Sequence, residues 1–142
     1  MSKQKIMLVD DEKMVLNALE RSLRREGYEL IMFQSAAEAL EHLKTDPDVD
    51  IIVSDYCMPK MTGMELLVEV RNRYPSIVRI LLTGHADLDV AIEGINQGKL
   101  FRFLTKPWQD TELKSHLKQG LKFKRTVEEA REAVRASRNK AR

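Results

Sequence analysis

Five short apolar runs alternate with amphipathic stretches along this 142-residue chain, and no other feature limits its fold as strongly. The runs consist largely of aliphatic and β-branched residues, which is typical of strands buried on both faces of a parallel sheet. Apolar residues spaced three and four apart follow each run, and that spacing predicts a helix. The predicted strands are residues 5–9, 28–33, 50–54, 78–82 and 100–104.

Capping residues and glycines mark where the predicted helices begin and end. Gly27 ends the first helix, and capping boxes at residues 35–38 and 62–65 open the second and third. The fourth helix begins near Asp87 and the last begins near Asp110. Strands that alternate with helices pair in parallel through right-handed crossovers, with helices on both faces of the sheet. The sequence therefore predicts a doubly wound α/β fold, in which ligands bind at the carboxyl ends of the strands.

Composition limits the chain to one compact domain of ordinary size. Hydrophobic residues make up 43% of the sequence, which is enough to bury a core. No apolar run approaches the roughly 18 residues of a membrane span, and the N-terminus lacks a secretory signal. Cys57 is the single cysteine, which excludes an intramolecular disulfide and fits a reducing compartment. We therefore expect a cytoplasmic protein without a membrane segment.

Charge is unevenly distributed along the chain. Residues 114–142 contain ten Lys or Arg and three Glu, whereas the net charge of the whole chain is +2, so the remainder is acidic. A heptad pattern runs through the basic segment, but only three of its members are sizeable apolar residues. The segment is therefore either a solvated terminal helix or a dimerising coiled coil. The pattern consists of Gly120, Phe123, Val127, Ala130, Val134, Ser137 and Ala141.

Chemically active side chains follow four of the five predicted strands. Because the carboxyl ends of parallel strands lie at one edge of the sheet, these side chains are expected to converge on one crevice. The second strand ends in Gln34 and Ser35, which indicates ordinary helix capping. The converging residues are Asp10 and Asp11 after the first strand, Asp55 after the third, Thr83 with Gly84 after the fourth, and Lys106 with Pro107 after the fifth.

Each of these residues has an ordinary structural explanation when it is taken alone. Either Asp10 or Asp11 would serve as the N-cap of the first helix. Thr83 is a residue type common near strand ends, and Lys106 is a residue type common on surfaces. Asp55 is harder to explain in this way, because Thr62 already caps the next helix. The functional argument therefore depends on the combination.

Three carboxylates in one crevice repel one another unless a cation lies among them. Oxygen ligands suit a hard ion, and Mg²⁺ typically takes one or two carboxylates together with water and phosphate oxygens. Zinc is not indicated, because the three histidines and Cys57 lie far apart in the sequence. A carboxylate beside such a cation can be a nucleophile toward phosphorus. We expect Asp55 to take a phosphoryl group whose charge Mg²⁺, Lys106 and the Thr83 hydroxyl neutralise.

The segments LVDDE, SDYCMP, LLTG and FLTKPW occur in that order between Lys5 and Leu121. Through them the sequence resembles the receiver domain of bacterial two-component response regulators. The resemblance implies a flavodoxin-like sheet of five parallel strands in the order 2-1-3-4-5, with five helices of which the last is extended. It also implies that Asp55 accepts phosphate from a histidine of a sensor kinase. The chain would then be a signalling domain that catalyses only its own phosphorylation and dephosphorylation, and not a dedicated enzyme.

The resemblance also implies roles for residues around the phosphate acceptor. The bond between Lys106 and Pro107 would be cis. Thr83 would be drawn toward the phosphate, and Phe103 occupies the aromatic switch position. Because Phe has no hydroxyl group, its part in switching must come from ring packing. The Mg²⁺ ligands would be Asp10, Asp11, Asp55 and the main-chain carbonyl of Cys57.

We divide the chain into a receiver domain at residues 1–121 and an extended charged helix at residues 122–142. This helix is either a linker or a coiled coil, or it precedes an output domain that is absent from the sequence. The expected partner is a sensor histidine kinase. A homodimer would form through the face made by the fourth helix, fifth strand and fifth helix, or through the C-terminal helix. Nucleic acid would be bound only through an absent output domain.

Two alternative functions use the same residues differently. A Mg²⁺-dependent phosphatase with an aspartyl nucleophile usually carries Asp-x-Asp after its first strand, whereas this chain has Asp10, Asp11 and Glu12. A nucleic-acid-binding protein would use the basic tail for salt-sensitive attraction to a polyanion. However, Phe123 is the only aromatic residue of that tail, and no helix-turn-helix or zinc motif follows.

Overall fold

The computed structural model describes residues 3–140, so Ala141 of the heptad pattern lies outside the described residues. Within that range strands and helices alternate, and a 3₁₀ turn at His85–Asp87 precedes the fourth helix. None of these helices is both long and apolar enough to cross a membrane. The elements are β1 (Lys5–Val9), α1 (Lys13–Leu23), β2 (Glu29–Phe33), α2 (Ala36–Thr45), β3 (Ile51–Asp55), α3 (Gly63–Arg73), β4 (Val78–Thr83), α4 (Leu88–Asn96), β5 (Arg102–Thr105) and α5 (Asp110–Lys140).

The sheet is parallel throughout and has the order β2-β1-β3-β4-β5, which confirms the predicted fold and strand order. The central strand β3 is buried along its whole length. Its last residue, Asp55, is paired with Leu82 of β4, and the preceding residue, Ser54, is paired with Val9 of β1. This register aligns the carboxyl ends of the central strands, so the residues that follow them share one edge of the sheet.

Two hydrophobic cores cover the two faces of the sheet because alternate strand side chains point in opposite directions. Met7 and Val9 of β1 belong to the core that α2, α3 and α4 cover. Ile6 and Leu8 of the same strand belong to the core that α1 and α5 cover. This arrangement is the double winding that the continuously apolar strands predicted.

Several boundaries differ from the sequence prediction by one or two residues. β3 and β4 each include one more residue at their carboxyl ends, so Asp55 and Thr83 are the last residues of strands and not the first of loops. β5 begins at Arg102 and not at residue 100, because Leu100 is buried in a core and the Phe101 ring stacks on Phe123 of α5. Leu100 and Phe101 are apolar because they pack against other side chains and not because they pair in the sheet.

The two predicted capping boxes differ in the structure. In α3 the box is complete, because Thr62 Oγ1 accepts from the Glu65 N–H and Glu65 Oε1 accepts from the Thr62 N–H, both at 3.1 Å. In α2 only half of the box is present among the described residues, where Ser35 Oγ accepts from the Glu38 N–H at 3.1 Å. The prediction of a full box at residues 35–38 was therefore wrong.

The last helix, α5, continues well beyond the part that packs on the sheet. Its buried residues end at Leu121, and residues 131–140 are all exposed. Two contacts hold the next turn to the sheet: Lys124 Nζ lies 2.8 Å from Asp50 Oδ1, and the ring centroids of Phe101 and Phe123 are 5.1 Å apart. The helix is thus extended as predicted.

Gly63, the first residue of α3, lies directly against the backbone of the central strand. A Cβ atom at this position would overlap the carbonyl oxygen of Asp55. The Gly63 N–H donates to the carbonyl of Tyr56 at 2.8 Å, which holds the helix in this close contact. A glycine is therefore required where α3 supports the end of β3.

Replacing Gly63 by Ala is expected to lower the free energy of unfolding by about 1–3 kcal/mol, the usual cost of overpacking. The matched control is Gly84→Ala, because a Cβ at Gly84 meets no atom within 4 Å and its φ is −80°. That variant is expected to be as stable as the wild type or slightly more stable. Urea denaturation measures both, and equal stability of the two variants would contradict the contact.

Candidate functional site

Four charged side chains meet at the carboxyl edge of the sheet. Asp10 and Asp11 follow β1, Asp55 ends β3, and Lys106 follows β5. Lys106 Nζ lies 3.0 Å from Asp10 Oδ2 and 3.0 Å from Asp55 Oδ1. Asp10, Asp11 and Asp55 each offer a carboxylate oxygen, and these oxygens all lie within 4.8 Å of one another. The structure thus brings together the carboxylates and the ammonium that were expected in one crevice.

Backbone contacts explain why Asp10 points into the site. The Asp10 N–H donates to the Phe33 carbonyl at 3.1 Å, which ties the end of β1 to the end of β2. Asp10 Oδ1 accepts from the Glu12 N–H at 2.9 Å. The N-cap of α1 is Glu12, which makes no side-chain capping bond. Neither Asp10 nor Asp11 therefore caps α1, and the ordinary explanation for the acidic pair does not apply.

Burial and mutual repulsion make the carboxylates difficult to ionise. Burial raises the pKa of Asp55, and the negative charges of Asp10 and Asp11 add to the rise, while the Lys106 ammonium opposes it. Burial also raises the pKa of Asp10, against the lowering effects of the Glu12 N–H and of Lys106. Two deeply buried acids beside one ammonium form a site that favours an additional positive charge.

Lys106 remains charged in this surrounding. Burial by itself lowers the pKa of its ammonium, but hydrogen bonding and attraction from Asp10 and Asp55 outweigh that effect, so the pKa is raised overall. One permanent positive charge therefore faces up to three negative charges, and it cannot neutralise all of them.

One carboxylate oxygen gives a direct test of whether a cation fits here. Asp10 Oδ2 is fully buried, and the Lys106 ammonium that lies 3.0 Å from it is shared with Asp55. Two buried carboxylates that share one ammonium keep an excess of negative charge. Carboxylate oxygens clustered in this way are the ligands that Mg²⁺ and similar hard cations prefer. The residues present therefore fit a divalent cation.

The remaining predicted residues lie at different distances from this cluster. Thr83 is fully buried at the end of β4, its hydroxyl donates to the Gly84 carbonyl at 3.3 Å, and its own carbonyl accepts from the Lys106 N–H at 2.8 Å. Cys57 is exposed, with its sulfur 3.8 Å from an oxygen of Asp87. Phe103 is partly buried and packs against the core that α4 covers, outside the carboxylate cluster.

The loop that carries Lys106 is fastened to α1. The bond from Lys106 to Pro107 is cis, as the resemblance implied. Trp108 Nε1 donates to Ser22 Oγ at 3.2 Å, and Ser22 Oγ donates to Asp110 Oδ1 at 2.6 Å. These bonds connect the Lys106 loop to the helix that follows the acidic pair.

Sequence reasoning missed the parts of the site that are made by backbone. The close contact of Gly63 with the Asp55 carbonyl had a signal, a glycine directly after the capping Thr62, but that residue pair is also ordinary at a helix start. The Ser22 and Trp108 bonds had no sequence signal, because their partners are far apart along the chain.

Comparison with known proteins gives a consistent family match. The model of the response regulator receiver domain matches residues 6–118. The hydrogenase transcriptional regulatory protein HoxA of Cupriavidus necator is 37% identical over 116 residues, which are 82% of this chain and 24% of HoxA. This chain spans about a quarter of the length of the curated relatives it matches.

Solved structures show the same fold. The signal receiver domain of an HD domain-containing protein from Pseudomonas fluorescens Pf-5 is 37% identical, with a TM-score of 0.80, and the match covers 88% of this chain and 99% of that one. The structure titled adenylate cyclase from Rhodopirellula baltica is 35% identical, with a TM-score of 0.88, and the match covers 94% of this chain and 98% of that one.

Replacing Asp55 by Asn is expected to raise the free energy of unfolding in the absence of divalent cations by about 1–4 kcal/mol, the scale of one charge interaction at a partly screened site. Because the pKa of Asp55 is raised on folding, the ionised group destabilises the folded chain at neutral pH. The difference between variant and wild type should therefore shrink as the pH falls, and vanish below 3.8, where the carboxyl is protonated in both states.

Urea denaturation at several pH values with a chelator measures this difference. The control is Asp48→Asn, at an exposed carboxylate outside the site, which should leave stability nearly unchanged. A loss of stability in Asp55→Asn at neutral pH would show that Lys106 overcompensates the repulsion.

Proposed function

The chain belongs to the response regulator receiver domain family of two-component signalling, and on that premise we propose that Asp55 accepts a phosphoryl group from a sensor histidine kinase. Receivers are signalling domains that such kinases phosphorylate. The observation that carries the assignment to Asp55 is its place at the end of the central strand, 4% exposed and 3.0 Å from Lys106 Nζ.

Asp55 is better suited than Asp10 to be the nucleophile. Asp10 Oδ1 is already bound by the Glu12 N–H, and the side chain is completely buried. Lys106 contacts Oδ1 of Asp55, whereas Oδ2 of Asp55 accepts no hydrogen bond from any residue between 3 and 140. That oxygen keeps its lone pairs for attack. The new bond joins Oδ2 to phosphorus while the bond from phosphorus to the kinase histidine breaks, and its electron pair returns to the imidazole.

Lys106 and Thr83 are the groups of this chain that would receive the phosphoryl oxygens. The raised pKa of Lys106 keeps the ammonium charged, so it can neutralise an equatorial oxygen. The Thr83 hydroxyl now donates to the neighbouring Gly84 carbonyl at a long 3.3 Å. Rotation about its χ1 would redirect this weak bond to a phosphoryl oxygen at little cost.

Receivers generally use Mg²⁺ at an acidic pocket, and we propose that Asp10, Asp11, Asp55 and the Cys57 main-chain carbonyl hold it here. The ion would supply positive charge to the transferred phosphoryl group. The support is the cluster of three carboxylates, in which the buried Asp10 Oδ2 shares the single Lys106 ammonium with Asp55.

Phosphorylation would be read out through Thr83 and Phe103. The modification adds about −1.5 to −2 charges at pH 7, together with strong acceptor oxygens. Movement of Thr83 toward them would leave space for the Phe103 ring, which packs against the core that α4 covers. The surface formed by α4, β5 and α5 would then change its partners, and we propose this surface, in preference to the C-terminal helix, for a homodimer.

The similar proteins differ in the activities that their names describe. Their names describe a transcriptional regulatory protein, an HD domain-containing protein and an adenylate cyclase. We propose that the receiver domain comprises residues 1–121 and that residues 122–142 form a separate charged helix. We also propose that the protein is cytoplasmic. Nucleic acid would be bound only through a separate output domain. Neither the aspartyl phosphatase nor binding of nucleic acid through the basic tail is supported by the family match.

Incubation with Mg²⁺ and a small-molecule phosphodonor such as acetyl phosphate is expected to add one phosphoryl group per wild-type chain, measured by intact mass. Asp55→Asn should remain unmodified, whereas Asp87→Asn, a neighbouring carboxylate near Cys57, should still be modified. A phosphorylated Asp55→Asn chain, or turnover of phosphate esters in excess over protein, would contradict the assignment.

Added Mg²⁺ is expected to raise the melting temperature of the wild type, because a ligand that binds only the folded chain stabilises it by mass action. In Asp11→Asn the increase should be much smaller, since one charged ligand is lost from the cluster. Asp48→Asn should show the full increase. Equal increases in all three proteins would place the cation elsewhere.

A further inference from the structure

A cleft of about 260 Å³ lies at the amino ends of β4 and β5, the edge of the sheet opposite to Asp55. On the sheet side its walls include Ile77, Leu100 and Phe101. On the helix side they include Phe123 and Val127 of α5. The cleft is therefore an apolar space between the sheet and the point where α5 leaves it.

The apolar surface of this cleft continues along α5 beyond the sheet. Val127, Ala130 and Val134 lie three and four residues apart, so they form one stripe on the helix. Val134 is 51% exposed, as is Phe123 at the start of the stripe. No other element within residues 3–140 covers this part of α5. From residue 123 to residue 134 the stripe is roughly 17 Å long.

The rim of the cleft and stripe is strongly basic. Arg79 is partly buried, and its guanidinium donates to the carbonyls of Lys99 and Ile77, at 2.9 and 3.2 Å. Within the described part of the chain no carboxylate lies within 4.0 Å of the guanidinium of Arg79, nor of the three arginines along the stripe. Those three are Arg131, Arg135 and Arg138.

Acidic groups hardly offset this charge. Glu128 is the acidic residue that lines the cleft, and Lys124, which also lines it, is paired with Asp50. Four arginines without acidic partners among the described residues thus lie beside an apolar floor, and one of them, Arg79, is partly buried. A partner that brings carboxylates to this rim would gain charge-assisted hydrogen bonds that no group of the described chain supplies.

We propose that this basic-rimmed groove, formed by the cleft and the stripe from Phe123 to Val134, binds an amphipathic helix of another protein. The occupant has an apolar seam with acidic residues along the flank that faces the arginines. An apolar seam laid into an apolar groove is a recurrent mode of helix recognition. Charge complementarity at the arginine rim then determines which helices bind.

Charge disfavours a second copy of this chain as the occupant. If two α5 helices paired antiparallel through the stripe, the flanking residues Lys124, Arg131 and Arg138 of the two copies would face one another and repel. In a parallel pair they would face Gln119, Thr126 and Ala133, which carry no charge. An acidic partner helix instead supplies an ion pair in each heptad.

The test uses the whole chain and two fluorescent synthetic helices with the same leucine seam, one flanked by glutamates and one by lysines. Fluorescence anisotropy should show the glutamate helix binding with a Kd below roughly 100 µM and more weakly at high salt. The lysine helix should bind at least tenfold more weakly. Failure of the glutamate helix to bind, or equal binding of both, would overturn the proposal.

Charge-reversal variants locate the site. Arg131→Glu combined with Arg135→Glu should weaken binding of the glutamate helix at least tenfold, while Arg125→Glu, also exposed on α5 but outside the groove, should change it less than twofold. Equal losses would mean attraction to the overall charge of the tail, against the proposal. So would sedimentation as a dimer that the glutamate helix does not dissociate, because a second copy would then occupy the groove.

Discussion

The ion pair between Lys106 and two buried carboxylates is the interaction on which the functional edge of this protein depends. Asp10 follows β1, and Asp55 is the last residue of β3. Both carboxylates are buried and repel one another, and the Lys106 ammonium lies 3.0 Å from each of them. Removing the ammonium would leave the two carboxylates uncompensated, which is a large cost at a buried site. The surrounding structure keeps these atoms in place. The register of β1, β3 and β4 aligns the carboxylates, and the α3 residue Gly63 supports the backbone of Asp55. The hydrogen bond from Trp108 to Ser22 fastens the Lys106 loop to α1.

Much of the fold was predictable because strands and helices here differ sharply in their apolar spacing. Continuous runs such as residues 51–53 are buried on both faces, and that burial requires helices on both sides of a parallel sheet. The prediction was less accurate where apolar residues serve another purpose. Leu100 and Phe101 were assigned to β5, although the first fills a core and the second stacks on Phe123. Composition of a run does not distinguish pairing from packing.

The members of the site were also predictable as residue types at strand ends, but their geometry was not. That Asp10 and Asp55 approach one ammonium depends on strand register, which no local pattern contains. Two contacts that shape the site involve backbone, namely Gly63 on Asp55 and the Glu12 N–H on Asp10, and these depend on distances that residue identity does not encode. The same limit applies to the opposite edge, where the heptad pattern in α5 was visible but the partly buried Arg79 beside it was not.

Carboxyl ¹³C NMR titration of Asp10 and Asp55, with and without Mg²⁺, tests most directly whether these groups form one electrostatically coupled site. The account predicts that without Mg²⁺ both groups titrate above the ordinary 3.8, since burial raises the pKa of each, and that Mg²⁺ lowers both pKa values because it favours the ionised forms. Ordinary titration of Asp10 and Asp55 near 3.8, unchanged by Mg²⁺, would contradict it.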